Sequence, residues 1–449
     1  MSADSLTLPY NWRPRDYQLP AWRYLEHGGK RAVLCWHRRS GKDDVMLHHT
    51  ACQMVQRAGN YWHMLPQANQ ARKAVWDAIN PHTGKRRIDE AFPVELRETT
   101  REQEMMIRFR PTSMSPASTW QVVGSDNYQS LIGSPPISVA YSEYALSDPN
   151  SWAFLRPILL ENGGTAAFIS TPRGRNHFQR LLALAQSEPG WFAQTLTVAD
   201  TGVMSDEAIA RERRELTAER GEDEAENIIN QEYYCSFDAA IPGSYYGKII
   251  AKLEAQGRIC DVPHDPRLPV FTAWVLGVGD STAIWFAQQT RAGAVRIIDY
   301  YENSGVGADH YARIVSERGY NYEGHYLPHD ADDREWGNNA TSRVETLKSL
   351  KVRPTRVLPR ASVDDGINAV RVLLPRCSFD EKRCERGLDA LRQYQKTWDE
   401  KLRTFSLRPL HDWSSHAADA FRYLAQGLRA PRDPDARPLR VESDYRVLS

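Results

Sequence analysis

Net charge is what this 449-residue chain most plainly lacks: Lys+Arg and Asp+Glu stand at 57 each. The total therefore gives no sign of a nucleic-acid partner, and a polyanion would have to be met by local basic patches. No apolar run approaches the ~18 residues of a membrane span, and no signal peptide is visible. The cysteines, at 35, 52, 235, 260, 377 and 384, are scattered without a Cys-x-x-Cys pair. That spacing argues against a zinc site and for reduced thiols in a cytosol. Internal repeats are missing too. What is present is ordinary: 41% hydrophobic residues, as in soluble globular proteins, and length enough for about two or three domains.

Residues 1–200 alternate strand-like and helix-like segments. Candidate strands are 31–36, 60–65, 105–110, 120–124, 136–141 and 166–170; helical patterns fill 15–27, 43–57, 67–79 and 174–187. This alternation predicts an α/β doubly wound sheet. Residues 201–245 read as a charged helical lid or linker. Past Gly243 three closely spaced strands (270–276, 282–288, 294–300) precede further α/β alternation, with helices at 307–319, 342–350, 363–375, 381–400 and 412–429 and strands at 324–328 and 353–357. A meander followed by α/β alternation predicts a second α/β domain of the ribonuclease H type over 246–429. The tail, 430–449, is rich in Pro, Arg and Asp and is expected to be disordered.

Inside the first domain, His37-Arg38-Arg39-Ser40-Gly41-Lys42-Asp43 sits between a short buried strand and a helix. That is the setting in which backbone N–H groups and a helix N-terminus cradle phosphate. A P-loop reads G-x-x-x-x-G-K-[ST], its last hydroxyl holding Mg²⁺. Here Trp36 stands at the first Gly and Asp43 at the hydroxyl. Lys42 would neutralise β/γ-phosphate charge, with Arg39, Ser40 and Gly41 in the cradle. A carboxylate pair is expected at the end of a later strand, and the best match is Ile137-Ser138-Val139-Ala140-Tyr141-Ser142-Glu143, with Ser142 where the Asp should be. The two Mg²⁺-binding positions read as exchanged: the loop carries the carboxylate and the strand end the hydroxyl, so a hard cation keeps both oxygen types. Glu143 is the candidate general base orienting the attacking water. Arg38 or Arg39 would stabilise the transferring phosphoryl, or else merely solvate the loop. Gln18, in Arg15-Asp16-Tyr17-Gln18, would read adenine with the aromatic stacking on the base. Thr171, in Ser170-Thr171-Pro172-Arg173-Gly174, sits where a γ-phosphate sensor would sit; the plain alternative is a turn.

The second half carries acids at Asp280, Asp299, Asp330 and within His411-Asp412-Trp413-Ser414-Ser415-His416-Ala417-Ala418-Asp419. Two-metal nucleases need carboxylates from separate elements, within reach of metals ~3.5–4 Å apart. Taken singly, each acid is as readily a cap or turn residue.

In order along residues 12–428, these motifs resemble the large terminase subunit of tailed bacteriophages, the ATP-driven motor that cuts concatemeric genomes and pumps DNA into procapsids. The resemblance rests on Gln18, the 37–43 loop, Pro66-Gln67-Ala68-Asn69-Gln70-Ala71, Ser142-Glu143-Tyr144-Ala145, Ser170 to Gly174 and Gln231-Glu232-Tyr233-Tyr234-Cys235. It continues through Trp274-Val275-Leu276-Gly277, Pro328-His329-Asp330, Asp365-Gly366-Ile367 and Ser415 to Asp419. It implies a P-loop ATPase domain, a lid and a ribonuclease H-like nuclease domain, with ATP and Mg²⁺ as cofactors and Mn²⁺ acceptable at the nuclease. The implied partners are double-stranded DNA, a portal protein, a small terminase subunit and further copies in a ring on the procapsid, in the host cytoplasm and without a membrane. The Asp43/Ser142 exchange resembles a variant of one branch of the family. Of the nuclease acids, Asp330 and Asp419 carry over as metal ligands, but position 275 is Val where the family has Asp. Engineered loss, a naturally nuclease-dead protein and rescue by Asp280 are the three readings, with loss favoured because the rest of the site is intact. Rival functions are a helicase-like DNA translocase and an assembly scaffold without either activity.

Overall fold

The computed structural model describes residues 7–10, 12–113, 115–126, 128, 133–238, 243–277, 281–333, 341–399 and 404–428. The chain divides into two compact units, Met1–Ser244 with Gln395–Arg408 and Tyr245–Tyr394 with Pro409–Ser449.

The first unit is built on eight strands: β1 (Arg31–Trp36), β2 (Asn60–Leu65), β3 (Arg97–Arg101), β4 (Met106–Phe109), β5 (Thr119–Gly124), β6 (Pro136–Ser142), β7 (Thr165–Ser170) and β8 (Trp191–Leu196). Their order is β3-β4-β5-β2-β6-β7-β1-β8. From β5 to β8 every pairing is parallel, and only the β3-β4-β5 edge is antiparallel. Parallel strands covered on both faces read as near-continuous apolar runs, and β1, Arg-Ala-Val-Leu-Cys-Trp, is buried from its second residue on. Side chains alternate between the faces. Val33 and Cys35 pack with Phe168 and Phe178, while Ala32, Leu34 and Trp36 pack with Val45, Met46 and Ile169. Within the charged 201–245 stretch lie two helices, Asp206–Arg220 and Glu222–Glu232.

The second unit has β9 (Ile259–Cys260), β10 (Val270–Val275), β11 (Thr282–Gln289), β12 (Val295–Asn303), β13 (Tyr322–Leu327), β14 (Thr355–Val357) and β15 (Cys377–Asp380), ordered β14-β13-β10-β11-β12-β15-β9. The β10-β11-β12 meander is antiparallel, while β13 pairs parallel to β10 and β14 parallel to β13. A central first strand flanked by its own meander and by parallel strands is the expected ribonuclease H-type arrangement. The helix Ser415–Gly427 buries Ala417, Ala420, Phe421 and Leu424 in the same core as Trp285, Phe379 and Tyr326. Among the described residues no helix is long and apolar enough to cross a membrane.

Several elements differ from the sequence reading. The helix over Pro149–Glu161 is absent from it, because Pro157 lies inside; Asp148 caps this helix by accepting from Asn150 N at 2.9 Å. Strands β3 and β8 are absent from it too, being polar or half-exposed edges of the sheet. The 381–400 helix stops at Gln393, and Lys396–Asp399 (β16) pairs with Thr404–Pro409 (β17). Thr397 and Trp398 favour a strand over a continued helix. Asp299, expected at the end of a strand, lies within β12.

Candidate active site

Because β6, β7 and β1 are adjacent and parallel, the segments that follow them leave the sheet at one edge. In open α/β sheets that carboxyl edge is where ligands bind. After β1 comes the 37–43 loop, after β6 Ser142-Glu143, and after β7 Ser170-Thr171.

The loop turns through two left-handed residues, Arg39 at φ 70° and Gly41 at φ 76°. Gly41 is favoured twice over: a left-handed φ carries no steric cost for glycine, and a Cβ there would lie 2.9 Å from Gln18 Nε2. The helix Lys42–Gln56 starts at once, with Asp43 and Asp44 in its first turn. Lys42 is buried and its Nζ pairs with Glu143 Oε1 at 3.4 Å. Ser142 donates its hydroxyl to Asp43 Oδ1 at 2.6 Å. The two positions that the sequence reads as exchanged are therefore in direct contact. Glu143 itself adopts φ 53°, a backbone state that costs on the order of 1–3 kcal/mol for a non-glycine residue and clusters at functional sites.

A third residue meets this pair, and sequence reasoning missed it. His63, on β2, sets its Nε2 3.3 Å from Asp43 Oδ1. The available signal was a lone imidazole in an otherwise apolar buried strand. Burial pushes the Asp43 carboxyl up, but the His63 ring, Lys42 and the Ser142 hydroxyl together hold it well below the usual carboxylate range.

Three polar atoms on the converging segments are buried without a hydrogen-bond partner: Ser40 Oγ, Thr171 Oγ1 and Glu143 Oε2. Each unpaired buried group costs about 1–3 kcal/mol, so a polar ligand among them suits the site. Arg38 and Arg39 are exposed, and neither guanidinium has an ion pair or hydrogen bond among the described residues. Lysine, free arginines, orphaned hydroxyls and a carboxylate–hydroxyl pair form the donor set that a nucleotide polyphosphate with a divalent cation requires.

Gln18, expected to read adenine, contacts the loop backbone. Its Nε2 donates to Ser40 O at 2.8 Å and its Oε1 accepts from Arg15 N at 2.9 Å. Tyr17, expected to stack on a base, donates its hydroxyl to Ser40 O at 2.9 Å. Both side chains brace the loop.

Arg173, which the sequence singled out only as part of a motif, forms a buried ion pair with Glu232. Burial alone would lower the guanidinium, but Glu232 and Glu143 together raise it. Arg38 N also donates to Glu232 O at 2.8 Å. The end of the helix Glu222–Glu232 thus touches both the phosphate loop and the segment after β7.

In the second unit Val275 ends β10 and packs partly buried against the core. Strand β13 runs parallel beside it, pairing Ala273 with Tyr326, so Asp330 leaves the sheet at the same edge. Asp330 is half exposed and lies 3.6 Å from Arg343. Asp419, on the last helix, accepts from Arg422 Nη2 at 2.6 Å. Burial raises its carboxyl against the pull of Arg422 and of His416 and His411. Tyr423 lies within electrostatic reach of Asp419 and Asp330 alike. Asp412 is not on the helix as expected; it lies ahead of it and accepts from the N–H of Ser414, the residue before the first turn, at 2.9 Å. Asp299 is bonded by Arg318 at 2.6 Å. Asp280 lies outside the described residues. Among the described residues no three His, Cys, Asp or Glu side chains gather as a metal-binding group.

No protein-family model matches the chain. It is similar to the large terminase subunit of Escherichia phage T5, 23% identical over 321 residues covering 68% of each protein. Among solved structures it is similar to the large terminase of a thermophilic bacteriophage, with 14% identity, a TM-score of 0.41 and coverage of 92% of this chain and 98% of that one. Another is the ATPase domain of the Thermus phage P74-26 large terminase, with 20% identity, a TM-score of 0.38 and coverage of 51% and 100%.

Proposed function

We propose, from the premise that this chain belongs with the large subunits of phage terminases, that it is a genome-packaging motor. Its first unit hydrolyses ATP to move double-stranded DNA into a procapsid, and its second unit grips that DNA. The observation that carries the ATPase is the 2.6 Å bond between Ser142 and Asp43 beside the Lys42–Glu143 pair at 3.4 Å. Two unusual residues 99 positions apart in the chain meet where an ordinary P-loop and its partner strand would meet.

Lys42 and the loop N–H groups bind the β- and γ-phosphates at the helix N-terminus. Asp43 and Ser142 would hold Mg²⁺, which when bound neutralises charge on the phosphate oxygens. Glu143 orients and deprotonates the attacking water, and Arg38 or Arg39 stabilises charge on the γ-phosphoryl. Thr171 senses the γ-phosphate from the end of β7. DNA cleavage by the second unit, where Asp330 and Asp419 would hold Mg²⁺ or Mn²⁺, is impaired, because Val275 offers no ligand at the end of β10. A portal, a small terminase subunit and a ring of copies are the partners this reading brings, in the cytoplasm of an infected bacterium.

A helicase-like translocase would share the first unit but has no use for the Asp330/Asp419 pair, and a non-catalytic scaffold would use neither. ATP hydrolysis by the wild-type chain, Lys42→Ala and Glu143→Ala separates them. The expected outcome is loss of at least about 100-fold in both variants. Equal rates in all three proteins sink the motor reading.

A further inference from the structure

We infer that His63 is a positioning residue, holding the Asp43 carboxylate so that one of its oxygens faces the divalent cation; this rests on the nucleotide reading of the site. The geometry is specific to one oxygen. Ser142 Oγ and His63 Nε2 both donate to Oδ1, at 2.6 and 3.3 Å, from two neighbouring strands. Among the described residues no hydrogen bond reaches Oδ2. A carboxylate clamped at one oxygen from two sides cannot rotate freely, so Oδ2 is the atom left for a cation.

The sequence context explains why such a clamp is wanted. The ordinary hydroxyl at this position has a single oxygen on a short stem and little freedom. An Asp is longer and presents two oxygens, so its orientation must be set by neighbours. Ligating carboxylates are in turn hydrogen-bonded by an outer shell, and losing such a partner lowers metal affinity about 10- to 100-fold. His63 is fully buried, with its ring edge-on to Trp120 at 6.3 Å. Its neighbours on the same face of β2, Tyr61 and Leu65, are core residues packed with Leu47 and Ala51 of the helix Lys42–Gln56. An imidazole there serves packing less well than an apolar side chain would, and its one described hydrogen bond goes to Asp43.

The test uses the full chain and a fluorescent ADP analogue, titrated with Mn²⁺ at fixed nucleotide. Binding of the analogue in EDTA and the melting temperature are recorded alongside. Gln carries an N–H near the place of Nε2, whereas Asn reaches only the place of Nδ1. His63→Gln should therefore keep the wild-type Mn²⁺ midpoint within a few-fold, while His63→Asn and His63→Leu should raise it about 10- to 100-fold, with EDTA binding unchanged. An unchanged midpoint in all three variants overturns the inference. An equal rise in all three also overturns it, assigning the effect to packing around β2. If His63→Leu does not fold, the Gln/Asn contrast decides. Wild-type binding indifferent to Mn²⁺ would instead defeat the nucleotide–metal reading of the site itself.

Discussion

Trp36 occupies a position where a phosphate loop normally has glycine, and the backbone explains why it is tolerated. Trp36 is the last residue of β1 and lies wholly in the core; the left-handed turns come later, at Arg39 and Gly41. The motif's second glycine is therefore the one this loop needs. Lys42, Asp43, Ser142 and Glu143 were legible in the sequence because each stands at a fixed offset from a strand end. His63 was not, because only the order of strands shows that β2 lies beside β6 and that its inward face meets Asp43. That Gln18 braces the loop backbone at Ser40 was not legible either, because a sequence does not show side-chain partners. Val275 was legible as a departure. Asp330 follows the strand beside it, and Asp419 on the last helix acts with Asp330 on Tyr423, so restoring the carboxylate should restore metal binding. The expected outcome is weak or absent Mg²⁺- or Mn²⁺-dependent plasmid cleavage as the chain stands, and recovery on Val275→Asp. Recovered cleavage that survives Asp330→Ala would contradict this assignment.

At the scale of elements, the helix Lys42–Gln56 links the site to the stability of the first unit. Its inner face carries two buried imidazoles, His48 stacked on Trp12 at 4.6 Å and His49 edge-on to Trp22 at 5.7 Å. Burial holds both rings neutral, pushing His48 down to about 3 and His49 to about 4 from an ordinary value of 6.5. In the unfolded chain they charge below about 6.5. Below that pH the unfolded state binds more protons. Stability is thus fully present above it and is lost as pH falls towards the folded values, by up to about 1.4 kcal/mol per pH unit for each ring. The denaturant midpoint should fall between pH 7.5 and pH 5, and His48→Phe, which keeps the stack on Trp12, should lessen that fall by one ring's share. An unchanged pH dependence in the variant would show that His48 titrates normally in the folded chain. Two of the strands that the sequence did not reveal, β3 and β8, are edges of the first sheet, and Pro149–Glu161 carries an internal proline. The two strands owe their conformation to pairing partners rather than to their own pattern.

For the whole molecule, a net charge of zero means that any hold on DNA comes from local basic residues and phosphate contacts, not from an overall field. The sequence reads as two kinds of α/β alternation with a charged helical stretch between them. The return of Gln395–Arg408 to the first unit was not legible, since a short strand pair at 396–409 carries no sequence mark of which body it joins. What makes the chain a motor in this account is that its hydrolysis site works with exchanged ligands. The most direct test is Mg²⁺-dependent ATP hydrolysis by the full chain carrying Asp43→Thr, Ser142→Asp, or both. The account predicts that each single change impairs hydrolysis, by leaving two hydroxyls or two carboxylates at the cation, and that the double change recovers part of the wild-type rate. A double variant no better than the worse single, or a single variant at the wild-type rate, would contradict it.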